Sequence, residues 1–231
     1  QPWFGAPLQL ARTPVGMLER YEAALFYHLA KEWFTGRGTI IDAGSFLGKS
    51  AFFFAEGLRQ NADPAAVGQR IHCFDIFRAN EFMTVEFVRE HAHQEVPLGG
   101  STRGIFEDQV ASVRDLLEVH EGDFHHVPWQ HQPIEILMID IAKTQSLGQR
   151  VVSAFFPDLI PDVSIVVHQD YHHPWLPHIH VVMEFLADYF ELVVPRADDS
   201  AAFLYKKAIP AAMLERAAAY RFTVGEEVQL M

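Results

Sequence analysis

The sequence predicts an α/β fold: a doubly wound, mostly parallel sheet with an N-terminal helical addition and a C-terminal antiparallel strand pair. Three observations carry this expectation. Short apolar runs alternate along the chain with stretches of helical period, the pattern of a parallel sheet covered by helices on both faces. Several of those runs end in an acidic residue and then open into a turn, as strands do where an α/β sheet meets its ligand. The last two apolar runs are separated only by a short polar segment, which suits a hairpin.

Residues 1–16, with Pro2, Pro7 and Pro14, read as an entry arm. From 17 to 34, Leu18, Tyr21, Leu25, Leu29 and Trp33 recur at helical spacing, and Gly36 and Gly38 end that helix. The first strand is expected over 39–42, followed by a glycine turn and a helix over 48–58. A second strand over 71–75 leads to a helix over 81–93, a loop at 98–101 and a helix over 102–114. Strands follow over 117–120 and 134–140, the latter apolar on both faces. A helix over 146–156 stops before Pro157, a fifth strand spans 163–168, and a helix covers 178–189. Residues 190–194 and 202–206 form the closing pair around the turn 196–200, and one helix with a short extension follows Pro210. Without repeats or a linker, the expected organisation is an arm and helix (1–36) packed on a core (37–209), completed by a C-terminal helix (210–231).

Of the 231 residues, 49% are apolar and 13% aromatic, which excludes a disordered chain. Lys and Arg number 18 against 30 Asp and Glu, a net charge of −12. Such a balance argues against a general nucleic-acid binder, whose affinity rests on cations neutralising phosphates. No apolar run reaches the roughly 20 residues that cross a bilayer. Cys73 is the single cysteine, so no intrachain disulfide forms, and the expected location is the cytoplasm. The expected partner is a small-molecule acceptor. A second copy of the chain, or a further segment of a longer one, stays open.

The loop Asp42-Ala43-Gly44-Ser45-Phe46-Leu47-Gly48-Lys49-Ser50 lies between the first strand and its helix, where backbone approaches a ligand and a helix N-terminus attracts anionic groups. Gly48-Lys49-Ser50 has the ending of a phosphate-binding P-loop. That motif requires its first glycine at the position of Ala43, and Gly44 is one residue too close. Asp42 would also repel phosphate. A dinucleotide fingerprint fares no better, because Gly44 and Gly48 do not make Gly-x-Gly-x-x-Gly. The same residues also read as Asp-x-Gly-x-x-x-Gly-x-Ser, which resembles the first motif of class I S-adenosylmethionine-dependent methyltransferases, with NAD and a P-loop hydrolase or kinase kept as alternatives. Asp75, ending the second strand, has the placement of a carboxylate that accepts both ribose hydroxyls. Asp123 and Phe124, after the third strand, are candidates to hold adenine.

Taken with Phe74-Asp75-Ile76-Phe77, Glu121-Gly122-Asp123-Phe124, Asp140 and Gln169-Asp170-Tyr171, the chain from 17 to 194 resembles the macrocin O-methyltransferase-type family, which methylates hydroxyls of sugars and related natural products. The resemblance implies a Rossmann-like fold and S-adenosylmethionine bound by Asp42, Gly44, Ser45, Gly48, Ser50, Asp75, Ile76, Phe77, Asp123, Phe124 and Asp140. It also implies Mg²⁺ on Asp140, Gln169 and Asp170. Gln169 departs from the family's carboxylate. The family's base falls two or three residues after its first metal ligand, where Ala142 is inert and Lys143 is the positional candidate. A lysine acts as a base only when partly deprotonated. Histidines offer alternatives near neutral pH: His172 and His173 first, with His125, His126 and His168 behind them. No histidine spacing indicates a zinc site. Residues 81–100 are expected to cover the acceptor pocket, and their apolar character disfavours a polyanionic acceptor.

Overall fold

In the computed structural model, which describes residues 13–66 and 68–231, strands and helices alternate as the periodicity predicts. Pro2 and Pro7 of the expected entry arm lie outside the described residues. Helix α1 (Arg20–His28) passes into a wide π-type turn (Leu29–Trp33), then β1 (Thr39–Ala43) and α2 (Lys49–Arg59) follow. Next come β2 (Ile71–Asp75), α3 (Phe82–Phe87), α4 (Arg103–Val110), β3 (Leu117–Glu121) and β4 (Ile134–Ile139). The chain continues through α5 (Gln145–Phe155), β5 (Ile165–His168), α6 (Pro177–Phe185), β6 (Phe190–Ala197), β7 (Ser200–Tyr205), α7 (Ala211–Ala218) and α8 (Val224–Leu230).

Boundaries depart from the sequence reading where capping and hydrogen bonding override periodicity. Helix α1 starts at Arg20 because Glu19 and Glu22 form a reciprocal capping box there. The closing hairpin turns more tightly than expected, with β6 reaching Ala197 and β7 starting at Ser200. The tail holds two helices rather than one, because Thr223 and Glu226 make a second capping box that opens α8.

The seven strands form one sheet in the order β3-β2-β1-β4-β5-β7-β6, parallel except where β7 runs antiparallel to β5 and β6. Both faces are covered. On one, α1, α2 and α4 bury Phe26, Phe54 and Val110 against Ile40, Ile136 and Val167. On the other, α5, α6 and α7 bury Phe155, Val182 and Ala217 against Ile41, Leu137 and Val166. Since β1 and β4 carry apolar residues outward on both faces, their Ile-rich character is explained.

Glu135 ties this core to the N-terminal helix. It is fully buried in β4 and accepts from Thr35 N and Oγ1 at 2.6 and 2.8 Å, and from Arg37 N and Gly38 N at 2.8 and 3.2 Å. No described helix is long and apolar enough to cross a membrane.

Candidate active site

The strand order reverses between β1 and β4, and ligands of open α/β sheets sit at the carboxyl ends of such a switch point. The backbone ladder runs on past the strands there. Gly44 N donates to Phe74 O at 2.8 Å, Asp140 N to Ala43 O at 2.7 Å, and Gln169 N to Ile139 O at 3.0 Å. These bonds draw the loops after β1, β4 and β5 together around a cavity of about 670 Å³. That volume lies within the usual range for small-molecule sites.

Gly44, Ser45, Ser50, Asp75, Ile76, Asp123, Phe124, Asp140, Lys143, Gln169, Asp170 and His173 all line this one cavity. Gly44 has φ +105°, and a Cβ there would lie 2.9 Å from the Asp140 carbonyl carbon. Only glycine lets the loop reach the end of β4 in this conformation. Asp75 sits at the tip of β2, where Oδ2 accepts from Phe46 N at 2.8 Å and Oδ1 from Phe77 N at 2.6 Å. Burial pushes its carboxyl above the usual range, against the pull of those two N–H groups.

Other expected residues stand behind the wall. Asp42 is fully buried, accepts from Ser50 Oγ at 3.0 Å, and is pushed up to about 7 by its burial. Its Oδ1 meets no partner among the described residues. Gly48 caps α2 with φ 91° and faces Val110 rather than the cavity. Phe77 is a correction: its ring is fully buried against Phe106, so only its backbone N–H serves the site, through Asp75. Phe124 lines the cavity with a ring whose other neighbours are Phe74 and Phe155.

The acidic end holds the largest departure. The Lys143 ammonium bridges Asp140 Oδ1 and Asp170 Oδ2. Burial draws its pKa down, but the Asp140 and Asp170 charges outweigh burial and hold it above the ordinary lysine value. Lys143 is therefore charged in this arrangement and does not meet the condition for a base. Asp140 is pushed up to about 6 by burial, with Lys143 pulling it back and Asp170 adding repulsion. The Gln169 amide faces the same pair, and with its nitrogen turned there it donates to Asp140 Oδ1 at 2.8 Å and Asp170 Oδ1 at 2.9 Å. In the opposite orientation the nitrogen reaches Glu22 Oε1 at 3.4 Å and the oxygen faces the acids, as a metal ligand would present it.

Behind Gln169 lies Glu22, buried on α1 and hydrogen-bonded to Ser200 Oγ at 2.8 Å, with burial pushing it up to about 7. The sequence pattern alone does not single out Glu22. Its one signal is an acid on the apolar stripe of α1, four residues after Leu18 and three before Leu25. Lys49, suggestive of a phosphate-binding lysine, instead donates to the carbonyls of Gly16 and Leu18 at 3.2 and 2.6 Å, tying down the segment before α1.

The histidines separate clearly. His173 lines the cavity, whereas His172 turns to the Pro195 carbonyl, 2.9 Å from its Nε2. His168 is buried beneath the sheet end, neither ring nitrogen meets a partner among the described residues, and burial lowers it to about 3. Elsewhere, His72, Glu118 and His120 cluster closely enough to suggest a metal. The two rings are within 19° of parallel, with centres 5.2 Å apart and nitrogens 3.0 Å apart. The two nitrogens lie within hydrogen-bond distance of each other, one donating and one accepting according to tautomer.

Two absent groups can be tested against these residues. The cavity's volume, its backbone cradle at Gly44 and the carboxylate at Asp75 suit S-adenosylmethionine. Asp140, Asp170 and a turned Gln169 would give the hard oxygen donors Mg²⁺ prefers. An ammonium already lying between the two carboxylates marks a position where they favour a cation.

Comparison with known proteins agrees with this geometry. No curated protein matches the chain in sequence. Among solved structures, the O-methyltransferase NovP superposes with TM-score 0.62 at 12% identity, over 84% of this chain and 83% of that one. The apo form of CalS11, described as a TDP-rhamnose 3′-O-methyltransferase of calicheamicin biosynthesis, gives 0.54 at 17%, over 80% and 77%. An O-methyltransferase from Bacillus cereus in complex with SAH gives 0.52 at 13%, over 84% of each chain. At such identities the likeness shows the fold. The family model described as a methyltransferase domain matches residues 41–171, more than half of the chain and the whole stretch from β1 to the acidic end. The chain belongs to the methyltransferase-domain family, as a class I S-adenosylmethionine-dependent methyltransferase.

Proposed function

We propose that the chain methylates a hydroxyl oxygen of a small, uncharged acceptor of the sugar or polyketide type. The observation that carries this reading is the meeting of Gly44, Asp75 and Asp123 with Asp140, Asp170 and His173 around one cavity. S-adenosylmethionine, when bound, supplies an electrophilic sulfonium methyl group. Asp75 offers its remaining lone pairs to the ribose, Gly44 lets the backbone approach, and Asp123 with Phe124 borders the adenine side. Holding the acceptor oxygen in line then contributes through effective concentration.

The acceptor side is framed by His173, Met83 and Leu176, with Phe82 and Trp175 exposed nearby in the chain. Of the cationic side chains lining the cavity, Lys49 and Lys143 are tied to carbonyls and carboxylates, and Arg78 donates to the Gly99 carbonyl at 3.1 Å. A neutral acceptor therefore suits the pocket better than a nucleotide-linked one. His173, the imidazole that faces the cavity, takes the hydroxyl proton; general-base assistance of this kind contributes about 10²–10⁴-fold. Asp140, Asp170 and the Gln169 oxygen would hold Mg²⁺ only with the Lys143 ammonium withdrawn from the pair, and the ion would then supply Lewis acidity that lowers a hydroxyl pKa. A cofactor-binding domain with little or no activity is the second reading, supported by Ala142 and by the charged state of Lys143.

The test is calorimetric titration with S-adenosylhomocysteine, ATP and NAD, followed by methyl transfer from labelled S-adenosylmethionine to a panel of hydroxylated acceptors with and without Mg²⁺. Binding of S-adenosylhomocysteine alone, with label entering neutral acceptors, is expected. Cofactor binding without turnover favours the second reading, and failure to bind S-adenosylhomocysteine removes both.

A further inference from the structure

The acid pair at the ends of β4 and β5 is met by donors on every side. Lys143 touches Asp140 Oδ1 and Asp170 Oδ2. With the Gln169 nitrogen turned to the pair, it donates to Asp140 Oδ1 and Asp170 Oδ1, and three of the four carboxylate oxygens are then engaged. A divalent cation bridging the pair needs the same oxygens, and Mg²⁺ tolerates little deviation from near-octahedral geometry. It would also have to lie within a few ångströms of a fixed positive charge, in a partly buried site where repulsion is weakly screened.

We propose that the Lys143 ammonium is the resident cation of this cleft and keeps divalent metal out, so that Lys143 and a divalent ion are mutually exclusive occupants. Lys143 sits on the short segment between β4 and α5, three residues after Asp140, so its stem reaches back over the strand end without any rearrangement of the sheet. Its side chain is half exposed while the acids are much less so, 22% for Asp140 and 15% for Asp170. The lysine is the outer lid of the acid pair, and removing it opens the pair directly to solvent ions. With its nitrogen turned to the pair, Gln169 reinforces the exclusion, since it must then turn its amide over before presenting oxygen to a metal. This inference rests on the proposed use of the acidic end, but metal binding is measured independently of methyl transfer.

The experiment is Mn²⁺ titration of the full chain followed by electron paramagnetic resonance, comparing wild type with Lys143→Met and Lys143→Gln. Two variants are used so that a folding failure in one leaves the other; binding of S-adenosylhomocysteine and a thermal melt check each. At least a tenfold gain in Mn²⁺ affinity over wild type is expected in the neutral variants, abolished by adding Asp170→Asn. Equal affinity in wild type and both variants overturns the proposal, as does a gain that survives Asp170→Asn. If no form binds S-adenosylhomocysteine yet the Mn²⁺ pattern holds, the methyltransferase reading fails while the exclusion stands.

Discussion

Glu22 on α1 accepts a 2.8 Å hydrogen bond from Ser200 on β7, although the two lie 178 residues apart. The bond clamps the N-terminal helix to the closing hairpin directly behind the acidic end of the site. Burial, offset in part by the Glu19 N–H and the Ser200 hydroxyl, raises Glu22 from 4.5 to about 7. Between those pH values the folded state holds a proton that the unfolded state has lost, so stability falls as pH rises through the window. Glu22→Gln should flatten that slope and raise stability at pH 8 by roughly 1–3 kcal/mol, since each tenfold change in proton affinity corresponds to ~1.4 kcal/mol. Urea melts at several pH values measure it. Asp42, also raised to about 7 by burial, contributes to the slope that remains, together with Asp140 and Asp75, which burial raises as well. A variant slope equal to wild type would remove Glu22 from the account.

Asp75 performs two tasks that substitutions can separate. Its oxygens hold Phe46 N and Phe77 N, fixing the loops after β1 and β2, and its free lone pairs face the cavity. Asp75→Ala should weaken S-adenosylhomocysteine binding by about 1–3 kcal/mol, the range for hydrogen bonds to charged groups. Stability should drop as well, because two backbone donors lose their acceptor. Calorimetry and a thermal melt on one preparation read both effects, and unchanged affinity would take Asp75 out of the binding site.

His173 and His172 are neighbours in sequence and point to different surroundings. If His173 takes the acceptor proton, His173→Ala should lower kcat by about 10²–10⁴-fold. His172→Ala should leave kcat within a few-fold of wild type, since that ring addresses the Pro195 carbonyl. Equal effects from the two substitutions would point to disruption of the loop rather than to chemistry.

Glu135 carries no expected role in methyl transfer and a large one in stability. Glu135→Ala leaves the donors of Thr35, Arg37 and Gly38 without their acceptor, at about 1–3 kcal/mol for each buried group stranded. The urea midpoint should fall markedly, while S-adenosylhomocysteine affinity of the folded fraction stays near wild type. A midpoint unchanged in the variant would mean that water replaces the carboxylate without loss.

Much of this was legible in the sequence because it depends on local pattern. The β1 and β4 runs are rich in Ile and Leu on both faces, so their place in the middle of a covered sheet followed directly. Gly44, Asp75 and Asp140 were identifiable because residues at strand ends are brought together by topology alone. What escaped the sequence depends on side-chain direction. Phe77 and Ile76 are adjacent, yet one is fully buried and the other borders the cavity, because Phe77 adopts φ +49° to turn its N–H toward Asp75. Lys143 was expected as a base from its distance to Asp140, but spacing does not reveal that two carboxylates would hold it charged. Glu22 was out of reach for the same reason, since its partner Ser200 lies on β7, far along the chain.

The position of β1 has a consequence for how the chain is made. A chain that emerges N-terminus first completes β1, β2 and β3 while the other edge of β1 still waits for β4. Until residues 134–139 leave the ribosome, Ile40 and Ile41 present an unpaired apolar edge, and the donors of Thr35 and Gly38 have no acceptor. Open edges of this kind are where nascent chains pair with the wrong partner. Of the described strands, the one that leads into the glycine loop is made first and sheltered late, so a pause in translation before β4 would hold the half-built sheet in its most adhesive state.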